Sequence, residues 1–508
     1  MALVDVGVIV VMLVLVTWMG HRLSGHATNR SDFFTGGAGV PWWAVSASII
    51  ATVVSSVTFI SVPAAVFRIG GDLTYFQMIL GLALGKVLTA WLFARPYYES
   101  RSVATTYDYI GARMAPAVGR ASLGLGLALN LINTAVKLLT TALVLSVMTD
   151  WSLALCALVI IAFSVLWSAL AGLKTVIWTD FLLFVVFALG AVYALLFIYA
   201  EIDLPLVDAW QQLDRNAKTA LFDLSVDPGV TYTLWAGIVG SLALSVSIAG
   251  NQGTLQRVRA CRSVRDAKKA FNYSALFYAL HVLILGVGCA LWLFYSTGGV
   301  PHADVPAELA AQLQTQPDRI FPHFIMTEIP VGVSGLLIAA IFAAGISTLD
   351  SALAEVADVS VASVYEPLRP GMSDAHYLLA SRLSLALWAV AFFAAAMFFS
   401  RFQAEGLLNL TFKLPNYLTG AMFGTILLAR LRIGGWLEFC VGFAVACAVV
   451  WLLQDRGVAF LWWCPASGAA MFAVSCAIAR SRGRWRPELS GVLAADGESS
   501  AAAVRGVA

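Results

Sequence analysis

Residues 41–71 read PWWAVSASIIATVVSSVTFISVPAAVFRIGG. The run is long enough to cross a bilayer, yet Ser55, Ser56 and Thr58 cluster at its middle. Pro63, which has no backbone donor, follows just beyond. A second stretch, SLALSVSIAGNQGTLQRV at 241–258, is interrupted in a similar way by Gly250, Asn251, Gln252 and Gly253. The first is the second apolar stretch of the chain and the other is the seventh. Paired discontinuous helices in corresponding positions of two halves mark the midplane site of a secondary transporter. There, unwound carbonyls replace the water around an ion and half-helix N-termini hold an anionic group. Either break alone reads equally well as a kink, so the pairing carries the inference.

The surroundings fit a membrane protein. Of 508 residues, 60% are hydrophobic and 12% charged, with a mean hydropathy of +0.84. Soluble domains carry about 25% charged residues. Stretches of about 20 apolar residues span roughly 30 Å of hydrocarbon. They fall near 4–20, 40–66, 76–95, 119–147, 151–171, 175–199, 232–254, 271–295, 331–362, 379–399, 405–429, 436–453 and 457–479. The expectation is thirteen transmembrane helices in an all-α polytopic membrane protein. Outer-membrane strands, which alternate over about 10 residues, do not fit. A net charge of +2 argues against a nucleic-acid partner. Seven scattered cysteines (Cys156, Cys261, Cys289, Cys440, Cys447, Cys464, Cys476) show no metal or redox spacing.

Lys and Arg set the orientation. They concentrate after the first, third, seventh, eleventh and thirteenth stretches, as in RVRACRSVRDAKK (257–269) and RSRGRWR (480–486). The alternate connections, such as 201–229 with Arg215 and Lys218, are poorer in base. The N-terminus is therefore expected outside, the C-terminus in the cytoplasm, and the chain in the cytoplasmic membrane. The first stretch lacks a basic start and a small-residue cleavage site, so it reads as a retained helix. The tail LAADGESSAAAVRGVA (493–508) has a disordered composition.

Ionisable residues inside a bilayer are costly and point to function. Here they are Lys86, Lys137, Asp180, Asp350 and Lys413, with Glu355 and Asp358 nearer an end. Lys86 and Lys413 read as side chains that snorkel to an interface. Lys137, in NLINTAVKLLTTALVL (130–145), either faces a polar cavity or pairs with an acid. Asp180, taken alone, reads as a carboxylate held by free N–H groups at a helix start. Asp350, however, stands in AAGISTLDSAL (343–353) beside Ser347, Thr348 and Ser351. Hydroxyl and carbonyl oxygens with one or two carboxylates suit a small hard cation.

Five motifs, in order, resemble the sodium:solute symporter family. They are SDFFTGGAGVPWWAVSASIIATVVSSVTFIS (31–61), RPYYESRSVATTYDYIGARM (95–114), LAGLKTVIWTDFLLF (170–184), NQGTLQRVRACRSVRDAKKA (251–270) and GLLIAAIFAAGISTLDSAL (335–353). The resemblance covers roughly 30–430 and implies an inverted five-plus-five helix core like that of leucine transporters. It divides the chain into an extra helix and loop (1–30), two repeats (31–200 and 201–430), two C-terminal helices (431–480) and a tail (481–508). It also implies a co-transported sodium ion held by the carbonyls of Ala51, Val54 and Ala344 and the hydroxyls of Ser347 and Thr348. Some family members bind a second sodium. Its counterparts here are Asp180, Ser347 and Ser351, with Asp350 either adding a carboxylate or neutralising Lys137 or another internal base. Val53 departs from the Asp or Asn common in relatives.

For the solute, the resemblance points to Ser55, Thr58, Gln77, Asn133, Lys137, Ser247 and Asn251. The pattern of sugar-transporting relatives is mostly absent, since Thr58, Gln77, Leu244 and Ser247 occupy its positions. Lys137 favours an organic anion such as a monocarboxylate or sialic acid, with a sugar or amino acid as the alternative. A proton-coupled symporter using Asp180 or Asp350 is a further alternative. No nucleophile–base set, phosphate loop or metal motif suggests an enzyme, so no catalytic residue and no cofactor site are expected.

Overall fold

A chain in hydrocarbon has no water to bond its backbone, so its apolar stretches have to close their hydrogen bonds internally. The computed structural model answers with helices throughout. It describes residues 2–24, 39–53, 56–100, 104–149, 151–202, 204–296, 317–402 and 407–483. Among these no strand forms, and Val40 and Cys261 make an isolated bridge.

In chain order the helices are α1 (Leu3–Ser24), α2 (Trp42–Ala51), α3 (Ser56–Phe67), α4 (Tyr75–Glu99), α5 (Thr106–Arg113) and α6 (Pro116–Thr149). Then come α7 (Leu153–Ile202), α8 (Leu206–Arg215), α9 (Ser241–Ser247), α10 (Gln252–Ala260), α11 (Val264–Leu276) and α12 (Ala279–Tyr295). The last are α13 (Ile320–Thr327), α14 (Val333–Ser360), α15 (Asp374–Phe399), α16 (Leu407–Leu431), α17 (Trp436–Asp455) and α18 (Trp463–Ser481).

Among the described residues eight helices are long and apolar enough to cross a membrane, and the bent pair α2–α3 makes a ninth. Leu3–Met19, Leu153–Ser168 and Ala236–Gly250 are shorter apolar helices. Only Ala236–Gly250 of these is shortened by a break; the count of thirteen rests on the sequence. The fifth and sixth expected spans appear as two apolar stretches, Leu153–Ser168 and Leu173–Ile202, within the single helical assignment α7. The two stretches both lie along α14: Ser164 Oγ donates to Ile346 O at 3.3 Å and Asp180 accepts from Ser347 Oγ, whereas a straight helix would separate those two α7 positions by about 24 Å. The disordered tail expected at 481–508 lies, from residue 484 on, outside the described residues.

Helix α14 occupies the centre and is buried at nearly every position from Ser334 to Val359. It packs most extensively on α7 and also on α1, α6 and α15. Its N-terminus is capped from another element. Asp5 of α1 accepts from Gly332 N at 2.7 Å, Ser334 Oγ at 2.9 Å and Gly335 N at 3.0 Å. That carboxylate satisfies donors that the first turn of a helix leaves open, and it meets the positive end of the helix dipole. The extra first helix is thereby locked to the most buried helix of the core.

Small residues let α4 approach the second broken segment. A Cβ on Gly81 would sit 2.2 Å from Gly237 O, and one on Gly85 would sit 2.4 Å from Ser245 Cβ. Their spacing, one helical turn apart on the same face, brings backbones together where lipid supplies no hydrophobic drive. At the end of α3, Lys218 Nζ donates to the carbonyls of Val66, Arg68 and Gly71 at 2.7, 2.8 and 2.8 Å. The connection after α8 is thus tied to the first broken helix.

Candidate ion and solute site

The first break follows Ala51. Thr52 N still reaches Ser48 O at 3.2 Å and Val53 N reaches Ile50 O at 2.8 Å, after which the chain turns. The axes of α2 and α3 differ by 59°. Val54 and Ser55, expected as a sodium ligand and a solute contact, lie outside the described residues. At the start of α3, Ser56 Oγ is 2.5 Å from Thr141 Oγ1 of α6. Thr141 in turn leaves only glycine's clearance to α14, since a Cβ on Gly345 would lie 2.3 Å from Thr141 Cγ2. The second break runs from a π-turn at Ala236–Gly240 through α9 and a 3-10 turn at Ile248–Gly250. Asn251 then extends, with ψ of 148°, before α10 begins.

Asp180 of α7 is completely buried. It accepts from Ser48 Oγ of α2 at 2.5 Å and from Ser347 Oγ of α14. Arg257 of α10 places Nη2 3.6 Å from Asp180 Oδ2. The same guanidinium donates to Ser48 Oγ at 3.2 Å, to Ser351 Oγ at 3.3 Å and to Gly253 O at 3.3 Å. Four elements from both expected repeats therefore converge on one carboxylate. Buried charge of this kind persists only when paired and hydrogen-bonded. Asp180 is not held by the free N–H groups of a helix start, the alternative that its sequence neighbourhood allows. Its donors are side chains from three other helices.

The structure brings Asp180, Ser347 and Ser351 together, as expected from sequence, and adds Arg257 among them. Asp350 lies near Asp180 and Arg257 without sharing their hydrogen bonds. Among the described residues neither of its buried carboxylate oxygens meets a side-chain donor, while its backbone carbonyl accepts from Ser168 Oγ at 3.1 Å. Thr348 Oγ1 donates to Ala344 O at 2.9 Å, so two expected sodium ligands bond each other along α14. Ala51 ends α2, which packs on both α7 and α14. These are oxygen donors, the class that holds a hard monovalent cation.

Between the two breaks lies a cavity of about 220 Å³. Thr52, Thr58, Asn130, Asn133, Ser247 and Asn251 supply its polar lining, and Leu82, Leu129 and Leu244 part of its apolar lining. Of the expected solute contacts, Thr58, Asn133, Lys137, Ser247 and Asn251 face it. Gln77 does not line it. Its amide is spent on the connection after α8, donating to Tyr232 O at 2.9 Å and accepting from Asp223 N at 3.2 Å. Lys86 corrects a second expectation. It does not snorkel: it is 3% exposed, sits near the middle of α4 and lines the cavity.

Arg257 also lines the cavity and was missed in the sequence, because it opens a basic run that reads as a cytoplasmic loop. The available signal was its place one turn after Gly253, inside the interrupted stretch. Below the cavity, Asp358 of α14 accepts from Gln252 Nε2 at 2.8 Å and Gln256 Nε2 at 2.9 Å. That network fastens α10 to α14 at a second point.

A profile of the sodium:solute symporter family matches residues 33–431. The chain belongs to that family. It is 27% identical to the human (Homo sapiens) sodium/iodide cotransporter over 443 residues, covering 84% of this chain and 65% of that protein. It is 28% identical to the Bos taurus sodium-coupled monocarboxylate transporter 2 over 357 residues, covering 68% and 55%. The sodium/sialic acid symporter SiaT of Proteus mirabilis (strain HI4320) is 27% identical over 359 residues, covering 69% and 68%. The chain thus spans less than two thirds of the iodide and monocarboxylate relatives. Among solved structures, a substrate-bound, outward-open Na+-coupled sialic acid symporter superposes with a TM-score of 0.81. It shares 20% identity and covers 94% of this chain and 98% of that one. MhsT in complex with L-phenylalanine gives 0.53 at 13% identity, over 86% and 99%. These likenesses establish the fold of this family member as the leucine-transporter-like inverted repeat.

Proposed function

We propose that this symporter-family protein couples sodium entry to import of a small organic solute across the cytoplasmic membrane, by alternating access. In this reading the N-terminus lies outside and the C-terminus inside. Residues 31–200 and 201–430 form the two repeats, with two helices after them. One observation carries the reading: both helix breaks face a single cavity, beside a buried oxygen cluster drawn from α2, α7 and α14. Iodide, monocarboxylates and sialic acid are the solutes named for the relatives, and an organic anion is the solute class inferred here.

Sodium held by Ala51, Val54, Ala344, Ser347 and Thr348 ties α2–α3 to α14 and steadies the arrangement that admits solute from outside. Asp180, Ser351 and Asp350 offer a second position, which Arg257 borders. Rocking of the repeats then exposes both ligands to the cytoplasm. One charge moving through 100 mV contributes about 2.3 kcal/mol. With a similar amount from the concentration gradient, one ion sustains roughly thousandfold accumulation, since each tenfold step requires about 1.4 kcal/mol.

The test is purified protein in liposomes, offered pyruvate, N-acetylneuraminate, glucose and proline with and without an inward sodium gradient. Uphill uptake of one of them only with sodium is the expected result; loading that ignores sodium defeats the proposal. Thr348→Ala is expected to raise the sodium concentration for half-maximal uptake by roughly tenfold, the scale of one lost ion-directed bond. Unchanged sodium dependence would remove Thr348 from the ligand set. A proton-coupled reading draws on Asp350, whose buried carboxylate meets no side-chain donor among the described residues. Uptake driven by a pH gradient in sodium-free buffer would favour it.

A further inference from the structure

The cavity lining contains three cationic side chains, Lys86, Lys137 and Arg257, and one acid, Glu355. Two of the cations are answered within the protein. Arg257 is paired with Asp180. Lys137 donates to Thr52 O at 3.4 Å and feels the charge of Glu355. Lys86 has no such answer. Among the described residues it makes no hydrogen bond and no ion pair, and the charges that act on it are those of Lys137 and Arg257, of its own sign. Asp350 does not line the cavity and lies with Asp180 and Arg257. A buried ammonium with only like-charged neighbours lacks a counterion. The space in front of it is too large for a monatomic ion to fill and is lined by amides, hydroxyls and leucines.

We propose that Lys86 is the specificity-determining residue that docks the carboxylate of an organic anion solute, with Asn130, Asn133 and Asn251 meeting the solute's polar body. The inference rests on this cavity being the solute site of a sodium-driven symporter, and it moves the anion-binding role from Lys137 to α4. A carboxylate at Lys86 completes the charge pairing of the cavity. A neutral sugar or a zwitterion leaves the ammonium unmatched.

The experiment compares wild type, Lys86→Met and Lys86→Arg in sodium-loaded gradients, using pyruvate, N-acetylneuraminate, the methyl esters of both, and iodide. Expected is sodium-driven uptake of at least one carboxylate, none of its ester, and a half-saturation concentration about tenfold higher or more in Lys86→Met, the effect of losing a charged hydrogen bond. Lys86→Arg should recover part of the affinity, which separates lost charge from misfolding. Uptake confined to neutral solutes or to iodide, carriage of no carboxylate, or an unchanged half-saturation in Lys86→Met overturns the assignment. Binding of 22Na+ to the wild type is measured in parallel. If it is absent, the sodium reading fails on its own, and thermal stabilisation by the same carboxylates in potassium buffer, lost in Lys86→Met, decides the role of Lys86.

Discussion

Replacing Asp180 with alanine is expected to abolish sodium-driven uptake and to lower stability by about 3–5 kcal/mol, the usual cost of leaving one partner of a buried ion pair uncompensated. The carboxylate is the common acceptor for Ser48, Ser347 and Arg257. Without it the Arg257 guanidinium stays buried beside hydroxyl and carbonyl oxygens that cannot balance its charge. Removing that charge as well, in Asp180→Ala with Arg257→Met, is expected to recover most of the lost thermal stability. Uptake should not return, because the oxygen set would still lack its anionic member. Thermal unfolding in detergent and uptake in liposomes, measured on the same preparations, check the pair. A single mutant with wild-type melting and wild-type sodium dependence would show that Asp180 serves neither purpose.

The second large effect concerns packing. Gly81→Val is expected to prevent formation of a stable, monodisperse protein, at about 3 kcal/mol or more. The clash is with backbone: even a Cβ at this position would sit 2.2 Å from Gly237 O and 2.8 Å from Ile238 O. Overpacking usually costs about 1–3 kcal/mol because side chains can move aside. A carbonyl within a helix cannot do so without displacing the helix. Since α4 carries Lys86 and the opposing segment leads into Ser247 and Asn251, any protein that survives should also bind solute poorly. Gly124, whose Cβ would meet nothing within 4 Å, provides the control, and Gly124→Val should behave as wild type on size exclusion. Equal profiles for the two variants would mean that the close approach of α4 is not needed.

The class of fold and the place of the breaks were both readable from residues in order. Hydrocarbon forces hydrogen bonds to close within each helix, so an apolar run of bilayer length has one outcome, and Ser55, Ser56 and Gly250–Gly253 mark where that outcome is suspended. Buried carboxylates and hydroxyls have few uses in lipid, which singled out Asp180 and the turn Ser347–Ser351, and the family resemblance is what grouped Asp180 with Ser347 and Ser351. Which way a side chain points on a helix that is apolar all round was not. With no polar face to orient α4, Lys86 read as a surface lysine and Gln77 as a solute contact. Only the neighbours of α4 decided that the first faces the cavity and the second holds a connection. Arg257 reached Asp180 for the same reason: α10 packs against α4 and α14, and nothing local to the basic run records that contact. Composition and periodicity determine what each segment must become, whereas the pairing of charges depends on which helices touch, a property of packing among distant segments.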